Sequence, residues 1–240
     1  MKQSSSPPWI QEITLALCAC ICVSPPATAQ LQSSTVPVNS EANHKIRFDN
    51  GKVRMYEVQL PKGMSTAFHE HTSDSFAIIL TTTTRANEPE NGQRSVGPVN
   101  AGQVGFASTA KGPYTHRIEA TGNVPYRVIA MEIFGTGSLG TGPILAKRPI
   151  PFTVAVQENP RGQAYRLILK PGDASGPFER PANTAIIAIR GGRTSELIEG
   201  KAPRLWDSET GNFRWTDEPY RLSIRNDGVT EVELVEIEVF

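Results

Sequence analysis

Two stretches of the chain, EVQLPKGMSTAFHEHTSDSFAIIL at 57–80 and RLILKPGDASGPFERPANTAIIAI at 166–189, align without gaps 109 residues apart. Their turn glycines coincide, and so do the apolar runs that end them. A second pair, PYTHRIEATGNVPYRVIAMEIF at 113–134 and PYRLSIRNDGVTEVELVEIEVF at 219–240, aligns 106 residues apart. Two matching blocks in the same order predict a tandem duplication with its boundary within 135–151.

The rest of the chain has the pattern of an all-β protein. Short runs rich in Val, Ile, Leu, Tyr and Thr, such as RMYEVQL, YRVIAMEIF and AIIAI, are bounded by Gly, Pro, Asn or Asp. The chain contains 20 Gly and 19 Pro, as a many-turned β architecture requires. No segment after the N-terminal region has a long 3.6-residue apolar period, so helices are expected to be few and short. The ending VTEVELVEIEVF predicts a strand with one wet face.

The N-terminal region resembles a secretory signal peptide. An apolar core at 13–23 is too short to span a bilayer and precedes a small-x-small site that ends at Ala29. We therefore expect residues 1–29 to be removed and the protein to be periplasmic or secreted, without membrane insertion after cleavage. A lipoprotein acylated at Cys20 or Cys22 is the weaker alternative.

The amino-acid composition after Ala29 argues against two classes of partner, nucleic acids and anionic membranes. The region 1–29 holds one basic and one acidic residue of the 24 and 24 in the chain, which leaves 23 of each. This balance indicates neither nucleic acid nor an anionic membrane as a partner. All three cysteines lie within 1–29, so the exported chain has no disulfide and depends on its core for stability.

Three of the four histidines are spaced as metal ligands. His69 and His71 stand one residue apart before an apolar run, and side chains at i and i+2 of a strand point to one face. His116 from another strand can complete a facial set of three imidazoles. The alternative interpretation makes the three histidines polar wall residues of an empty pocket. His44 precedes the first predicted strand and is expected to be a solvated loop residue.

The residues around these histidines resemble the signatures of the cupin superfamily. Gly63, His69 and His71 fit the first cupin signature, in which glycine is followed after five residues by His-x-His. Gly105 and His116 fit the second signature, and the distance between the two motifs is also of cupin length. The resemblance covers nearly the whole chain after the signal region, once in each copy of the repeat.

This resemblance implies a bicupin, with two tandem double-stranded β-helix (jelly-roll) barrels. It implies a mononuclear divalent transition metal (Fe, Mn, Ni, Cu or Zn) bound by the three histidines of the first copy. Pairing of barrel faces in the superfamily makes a homodimer plausible. The expected division is 1–29 signal peptide, 30–45 flexible leader, 46–137 first cupin domain, 138–161 linker and 162–240 second, degenerate cupin domain.

The first copy lacks the glutamate that completes the cupin ligand set. Ser75 and Phe76 occupy the positions where it is expected. Asp74 is close, but in an unbroken strand it points away from the histidine face and would need a bulge to reach a metal. Either Asp74 or water is left to replace the missing ligand.

The second copy lacks the histidines themselves. Phe178 and Arg180 stand at the positions of the histidine pair, and Leu222 stands at the position of the third. The second barrel is therefore expected to be free of metal, with Phe178 and Leu222 filling the former site as core.

The resemblance also orders the possible functions. Three neutral imidazoles leave a metal its full charge, which favours an anionic or chelating small-molecule ligand. The leading hypothesis is a metal-dependent oxidoreductase, a quercetinase-like dioxygenase, although no catalytic acid or base is identified. Tyr114 and Arg117 flank His116. An arginine at the cavity mouth would suit an anionic ligand, but both residues are commoner at the rim of a barrel, and Tyr114 is interpreted as structural. The alternative is a non-catalytic cupin module that binds a small ligand or a metal.

Overall fold

The structure is a computed structural model that describes residues 35–135 and 148–240. These two ranges contain nineteen strands, one 3-10 helix over Val38–Ser40 and no α-helix. The expectation of few and short helices is confirmed. No helix within the described ranges has the length and apolar character needed to cross a membrane.

The first barrel consists of ten strands in two five-stranded sheets. The strands are β1 Val36–Pro37, β2 His44–Asp49, β3 Val53–Leu60, β4 His69–His71, β5 Asp74–Ile79, β6 Thr83–Pro89, β7 Ser95–Val99, β8 Val104–Ala107, β9 Tyr114–Ala120 and β10 Tyr126–Ile133. One sheet has the order β1-β4-β9-β6-β7 and the other has the order β2-β3-β10-β5-β8. Non-consecutive neighbours in both sheets are the crossovers of a jelly roll.

The second barrel repeats this arrangement with nine strands. They are β11 Phe152–Asn159, β12 Gly162–Leu169, β13 Phe178–Arg180, β14 Thr184–Arg190, β15 Gly192–Ile198, β16 Arg204–Ser208, β17 Phe213–Thr216, β18 Tyr220–Asn226 and β19 Val232–Val239. The sheets have the orders β11-β12-β19-β14-β17 and β13-β18-β15-β16.

The strand register reproduces the repeat that the sequence predicts. His69 of β4 lies opposite His116 of β9, and Phe178 of β13 lies opposite Leu222 of β18. The two pairings coincide under the two sequence offsets. The fold is therefore the predicted pair of tandem all-β barrels.

The two barrels share one apolar core. A single cluster of buried side chains contains Phe76 and Met131 from the first barrel and Ile187, Val235 and Ile237 from the second. The described residues of both barrels accordingly belong to one compact unit. Burying a side chain of this size contributes about 1.5–3 kcal/mol, so the shared core holds the barrels together.

The last strand differs from its prediction. Every residue of β19 is buried, including Glu233, Glu236 and Glu238, so the expected wet face is wrong. One face of the strand contributes Val235 and Ile237 to the shared core. Glu233 on this face pairs with Arg166, and Glu236 and Glu238 on the opposite face also pair with arginines. Alternation of charged and aliphatic residues alone does not reveal these ion pairs.

Two predicted boundary segments contain regular structure. Within the expected leader, β1 pairs with β4, and Glu41 is 4% exposed. Within the expected linker, β11 pairs with β12. From Thr35 onward, the described part of the expected leader therefore contributes an edge strand to the first barrel. The signal-peptide prediction for 1–29 lies outside the described residues.

Candidate metal centre

The structure brings the three predicted ligands together. His69 and His71 alternate on β4 and are 1% and 5% exposed, while His116 is partly buried on the neighbouring strand β9. One ligand atom from each histidine lies within 4.8 Å of the other two. The Nε2 atoms of His71 and His116 are 3.2 Å apart. Adjacent donors bound at about 2.0–2.2 Å to one metal are separated by roughly this distance.

Neighbouring groups orient two of the imidazoles. His69 Nδ1 lies 3.0 Å from the carbonyl oxygen of Ala67, and His116 Nδ1 lies 2.8 Å from Asn87 Oδ1. Both acceptors require a proton on Nδ1, which leaves Nε2 with a lone pair for a metal. Metal-binding histidines are commonly held in this way by their second ring nitrogen. His71 Nδ1 is buried and has no hydrogen-bond partner among the described residues.

The surroundings also favour the neutral form that a ligand needs. Burial, together with the neighbouring imidazoles, lowers the pKa of His71 to about 2 and that of His116 to about 3. Burial and the nearby His44 lower the pKa of His69 to about 4. All three rings are therefore uncharged near neutral pH, and the donor set fits a divalent transition metal.

The fourth histidine also lies at the site, so its prediction as a solvated loop residue is wrong. His44 begins β2, its ring centroid lies 4.6 Å from that of His69, and it lines the cavity. His44 Nδ1 is 2.7 Å from the carboxylate of Glu41. Burial raises the pKa of Glu41, but hydrogen bonds from His44 and the Ala67 N–H outweigh it and lower the value to about 2. The ionised carboxylate fixes the orientation of His44.

No carboxylate of the described residues joins the three-histidine cluster. Asp74 accepts a 2.7 Å hydrogen bond from the Thr109 N–H and lies 3.5 Å from Arg161 of the second barrel. It therefore serves a loop and the contact between barrels rather than the cluster. Ser75, at the position of the missing glutamate, shares a 3.2 Å hydrogen bond with the Tyr114 hydroxyl.

A buried glutamate that the sequence analysis did not identify lies inside the first barrel. Glu132 of β10 pairs with Ser75 of β5 and is 3% exposed. It accepts a 2.5 Å hydrogen bond from the Tyr56 hydroxyl. Burial raises the pKa of Glu132 despite this bond. The alignment with Glu238 marked this residue as part of the repeat, but nothing in the sequence indicated its burial.

The histidines line a cavity of about 390 Å³ with mainly apolar walls. Tyr114 also lines it and stacks on His71 at a centroid distance of 4.6 Å. Arg117, which would suit an anionic ligand at the cavity mouth, pairs instead with Glu88 at 2.8 Å and lies over the Phe68 ring. The arginine that lines the cavity is Arg85, on β6.

Comparisons with known proteins give relatives by structure only. No protein-family profile matches the chain, and no curated protein matches its sequence. AerE from Microcystis aeruginosa superposes with a TM-score of 0.56 at 11% identity, over 83% of this chain and 98% of AerE. An oxalate decarboxylase gives 0.56 at 12% identity, over 81% and 74%. The salicylate 1,2-dioxygenase of Pseudaminobacter salicylatoxidans gives 0.51 at 10% identity, over 78% and 70%.

The chain has the tandem cupin fold. At these identities the likeness establishes architecture, and the sites must be argued from the residues of this chain.

The second cupin barrel contains a fixed cation where the first has its histidine cluster. Phe178 and Leu222 are buried in one apolar cluster, as predicted. Arg180, at the position of His71, is fully buried and lies 2.5 Å from both Glu196 and Glu236. Burial lowers the pKa of Arg180, but these two carboxylates raise it above its usual value. The sequence analysis recorded the lost histidine and missed the ion pairs that replace it.

Proposed function

We propose that the protein binds one mononuclear divalent transition metal through His69, His71 and His116. The observation that carries this proposal is the convergence of three uncharged imidazoles whose ligand atoms lie within 4.8 Å of one another. The Mn(II) centres of Bacillus subtilis oxalate decarboxylase, which is 13% identical with a TM-score of 0.50, support a divalent metal in this fold. The residues do not identify the metal, since imidazole binds most first-row divalent ions.

We further propose that the site is that of a metal-dependent oxidoreductase, dioxygenase-like, acting on a small anionic or chelating organic molecule. When bound, the metal would supply Lewis-acid and redox chemistry at the positions that the three imidazoles leave open. The chain itself supplies a cavity with mainly apolar walls. It also supplies Tyr114, which stacks on His71 and restricts the plane of that ring. Burial raises the pKa of Glu132, whose carboxylate accepts a hydrogen bond from the Tyr56 hydroxyl.

Metal content tests the first half of this proposal. The wild-type protein, purified without added chelator and analysed by inductively coupled plasma mass spectrometry, should contain about one metal ion per chain. His116→Ala should lose that ion. Protein that contains no metal and takes up none of Fe, Mn, Ni, Cu or Zn on titration would contradict the site.

Oxygen consumption tests the second half. Metal-loaded protein should consume oxygen in the presence of a flavonol or an aromatic diol, and His116→Ala should not. Loaded protein that consumes no oxygen with these substrates would favour the second candidate, a non-catalytic module that binds a small ligand or metal. The absence of a carboxylate from the described three-histidine cluster favours that candidate.

We propose, finally, that the protein works outside the cytoplasm after cleavage at Ala29 and that its partner is a small molecule rather than nucleic acid or a membrane. The apolar core at 13–23 and the balanced charge support this placement. N-terminal sequencing of the exported protein should begin at Gln30. Gel filtration of that protein tests whether it forms the homodimer that the cupin resemblance suggests.

A further inference from the structure

The cavity of the first barrel contains an arginine without an ionic partner. Arg85 and Asn87 alternate on β6, and both line the cavity. Among the described residues, no carboxylate lies within 4.0 Å of the Arg85 guanidinium, and its buried Nε makes no hydrogen bond. A partly buried guanidinium loses hydration that a facing carboxylate ordinarily replaces. Arg85 therefore presents unused hydrogen-bond donors to the cavity.

A tyrosine without a hydrogen bond lies at the same end of the cavity. Tyr126 begins β10, is 4% exposed and lines the cavity, and its hydroxyl bonds to no described residue. Thr83, two residues before Arg85, donates a 2.6 Å hydrogen bond to the Val124 carbonyl, two residues before Tyr126. This bond joins the starts of β6 and β10. The Arg85 charge acts on Tyr126: burial raises the pKa of Tyr126 to about 12, and Arg85 partly opposes this rise.

These two groups stand beside the histidine cluster rather than within it. Asn87, which orients His116, follows Arg85 by two residues, a rise of about 7 Å along a strand. The wall of the same cavity also includes the apolar side chains of Phe106, Ile118 and Val128. An anion held by Arg85 would therefore direct an apolar body towards the three imidazoles.

We propose that Arg85 and Tyr126 form a binding site for the carboxylate of a small organic acid whose opposite end faces His69, His71 and His116. One guanidinium and one neutral hydroxyl match a single negative charge, which favours a monocarboxylate over a phosphate. Tyr126 retains its proton, and its hydroxyl donates a hydrogen bond to the carboxylate. The inference deepens the proposed function by naming a substrate class. It rests on that function only for what happens to the end of the ligand that faces the three histidines.

The probe for this site is a pair of small molecules that differ in charge. Binding of 4-hydroxybenzoate and of 4-hydroxybenzyl alcohol to metal-stripped protein is measured by isothermal titration calorimetry. Wild-type protein should bind the acid at least about tenfold more tightly, as expected for hydrogen bonds to a charged group. Arg85→Gln should abolish this preference, Arg85→Lys should retain part of it, and Tyr126→Phe should reduce it about threefold or more.

Arg117→Gln is the matched control. Arg117 is an arginine of the same sheet, but it pairs with Glu88 and lies over Phe68. This variant should keep the wild-type preference for the acid. Equal affinity for acid and alcohol, no measurable binding of the acid, or an equal loss in the Arg85 and Arg117 variants would overturn the proposal. If Arg85→Gln does not fold, the other two variants test the proposal. The proposal would be overturned if Tyr126→Phe kept the full wild-type preference for the acid and Arg85→Lys lost that preference completely.

Metal loading separates this proposal from the function on which it rests. Arg85→Gln should take up metal to the same stoichiometry as wild-type protein, because Arg85 contacts none of the ligand atoms in the structure. A wild-type protein that takes up no metal but prefers the acid would retain the carboxylate site and reject the metal site. A protein that loads metal but does not prefer the acid would retain the metal site and reject the carboxylate site.

Discussion

In the first barrel His69, His71 and His116 present uncharged nitrogens to a cavity, whereas in the second barrel the matching positions hold Phe178, Arg180 and Leu222. The guanidinium of Arg180 lies between two carboxylates at the position that corresponds to His71. His71 and Arg180 thus place polar groups at equivalent positions of the two barrels. In the second barrel Arg180 pairs with Glu196 and Glu236. In the first barrel the three histidines leave ring nitrogens available to bind a cation.

The residues next to these positions show the same contrast between ligand binding in the first barrel and internal ion pairing in the second. Asn87 and Glu196 occupy equivalent places, since each pairs with an isoleucine of the adjacent strand, Ile118 or Ile224. Asn87 orients an imidazole, and Glu196 neutralises Arg180. The comparison teaches that the barrel does not require histidines to fold, which supports the proposal that the histidines of the first copy bind a metal. Matched substitutions at equivalent positions test this contrast directly.

The largest expected effect comes from the pair His116→Ala and Leu222→Ala. The histidine variant should lose metal at all concentrations that load wild-type protein, since two imidazoles remain of three. The leucine variant should keep full metal loading but lose about 2–5 kcal/mol of unfolding free energy, because it leaves a cavity in a packed core. Metal analysis and urea unfolding measure the two effects. Metal loss in the leucine variant would contradict the assignment of metal binding to the first barrel alone.

The next effect compares Arg180→Met with Arg85→Met. Removing Arg180 leaves Glu196 and Glu236 buried without their shared cation, which should cost about 3–5 kcal/mol of unfolding free energy. Removing Arg85 breaks no ion pair within the described residues and should cost less than about 1 kcal/mol. Urea unfolding of both variants at neutral pH measures the difference. Equal costs would show that Arg85 has a structural role like that of Arg180.

A smaller effect is expected for Asn87→Ala, with Glu196→Gln as its counterpart in the second barrel. Loss of the Asn87 acceptor frees the His116 ring and should weaken metal binding about 10–100-fold without abolishing it. Competition against a chelator of known affinity measures this change. Glu196→Gln should leave metal affinity at the wild-type value. An unchanged affinity in Asn87→Ala would mean that packing alone orients His116.

The sequence predicted the architecture and the histidine cluster, because both follow from local pattern. Strand periodicity places His69 and His71 on one face, and the duplication fixes which strands correspond. Periodicity separates the two faces of a strand but does not show which face is inside the barrel. Arg117, next to His116 in β9, lies on the opposite strand face, whereas the place of Arg85 on the cavity wall follows only from the pairing of β6 with β9. Likewise, the ion pairs of Arg180 join strands that are distant in sequence, so only the folded chain reveals them.

The smallest effect concerns the tyrosines that the repeat makes equivalent. Tyr220 accepts hydrogen bonds from Arg180 at 2.7 Å and from Arg204 at 2.9 Å, whereas Tyr114 shares one neutral bond with Ser75. Bonds to charged groups contribute more, so Tyr220→Phe should cost about 1.5–3 kcal/mol and Tyr114→Phe about 0.5–1.5 kcal/mol of unfolding free energy. Urea unfolding at neutral pH measures both. If Tyr114→Phe were the costlier change, internal hydrogen bonds would fix the polar groups of the first barrel as firmly as those of the second. At this position the contrast between a barrel that binds a ligand and a barrel whose polar groups pair internally would then fail.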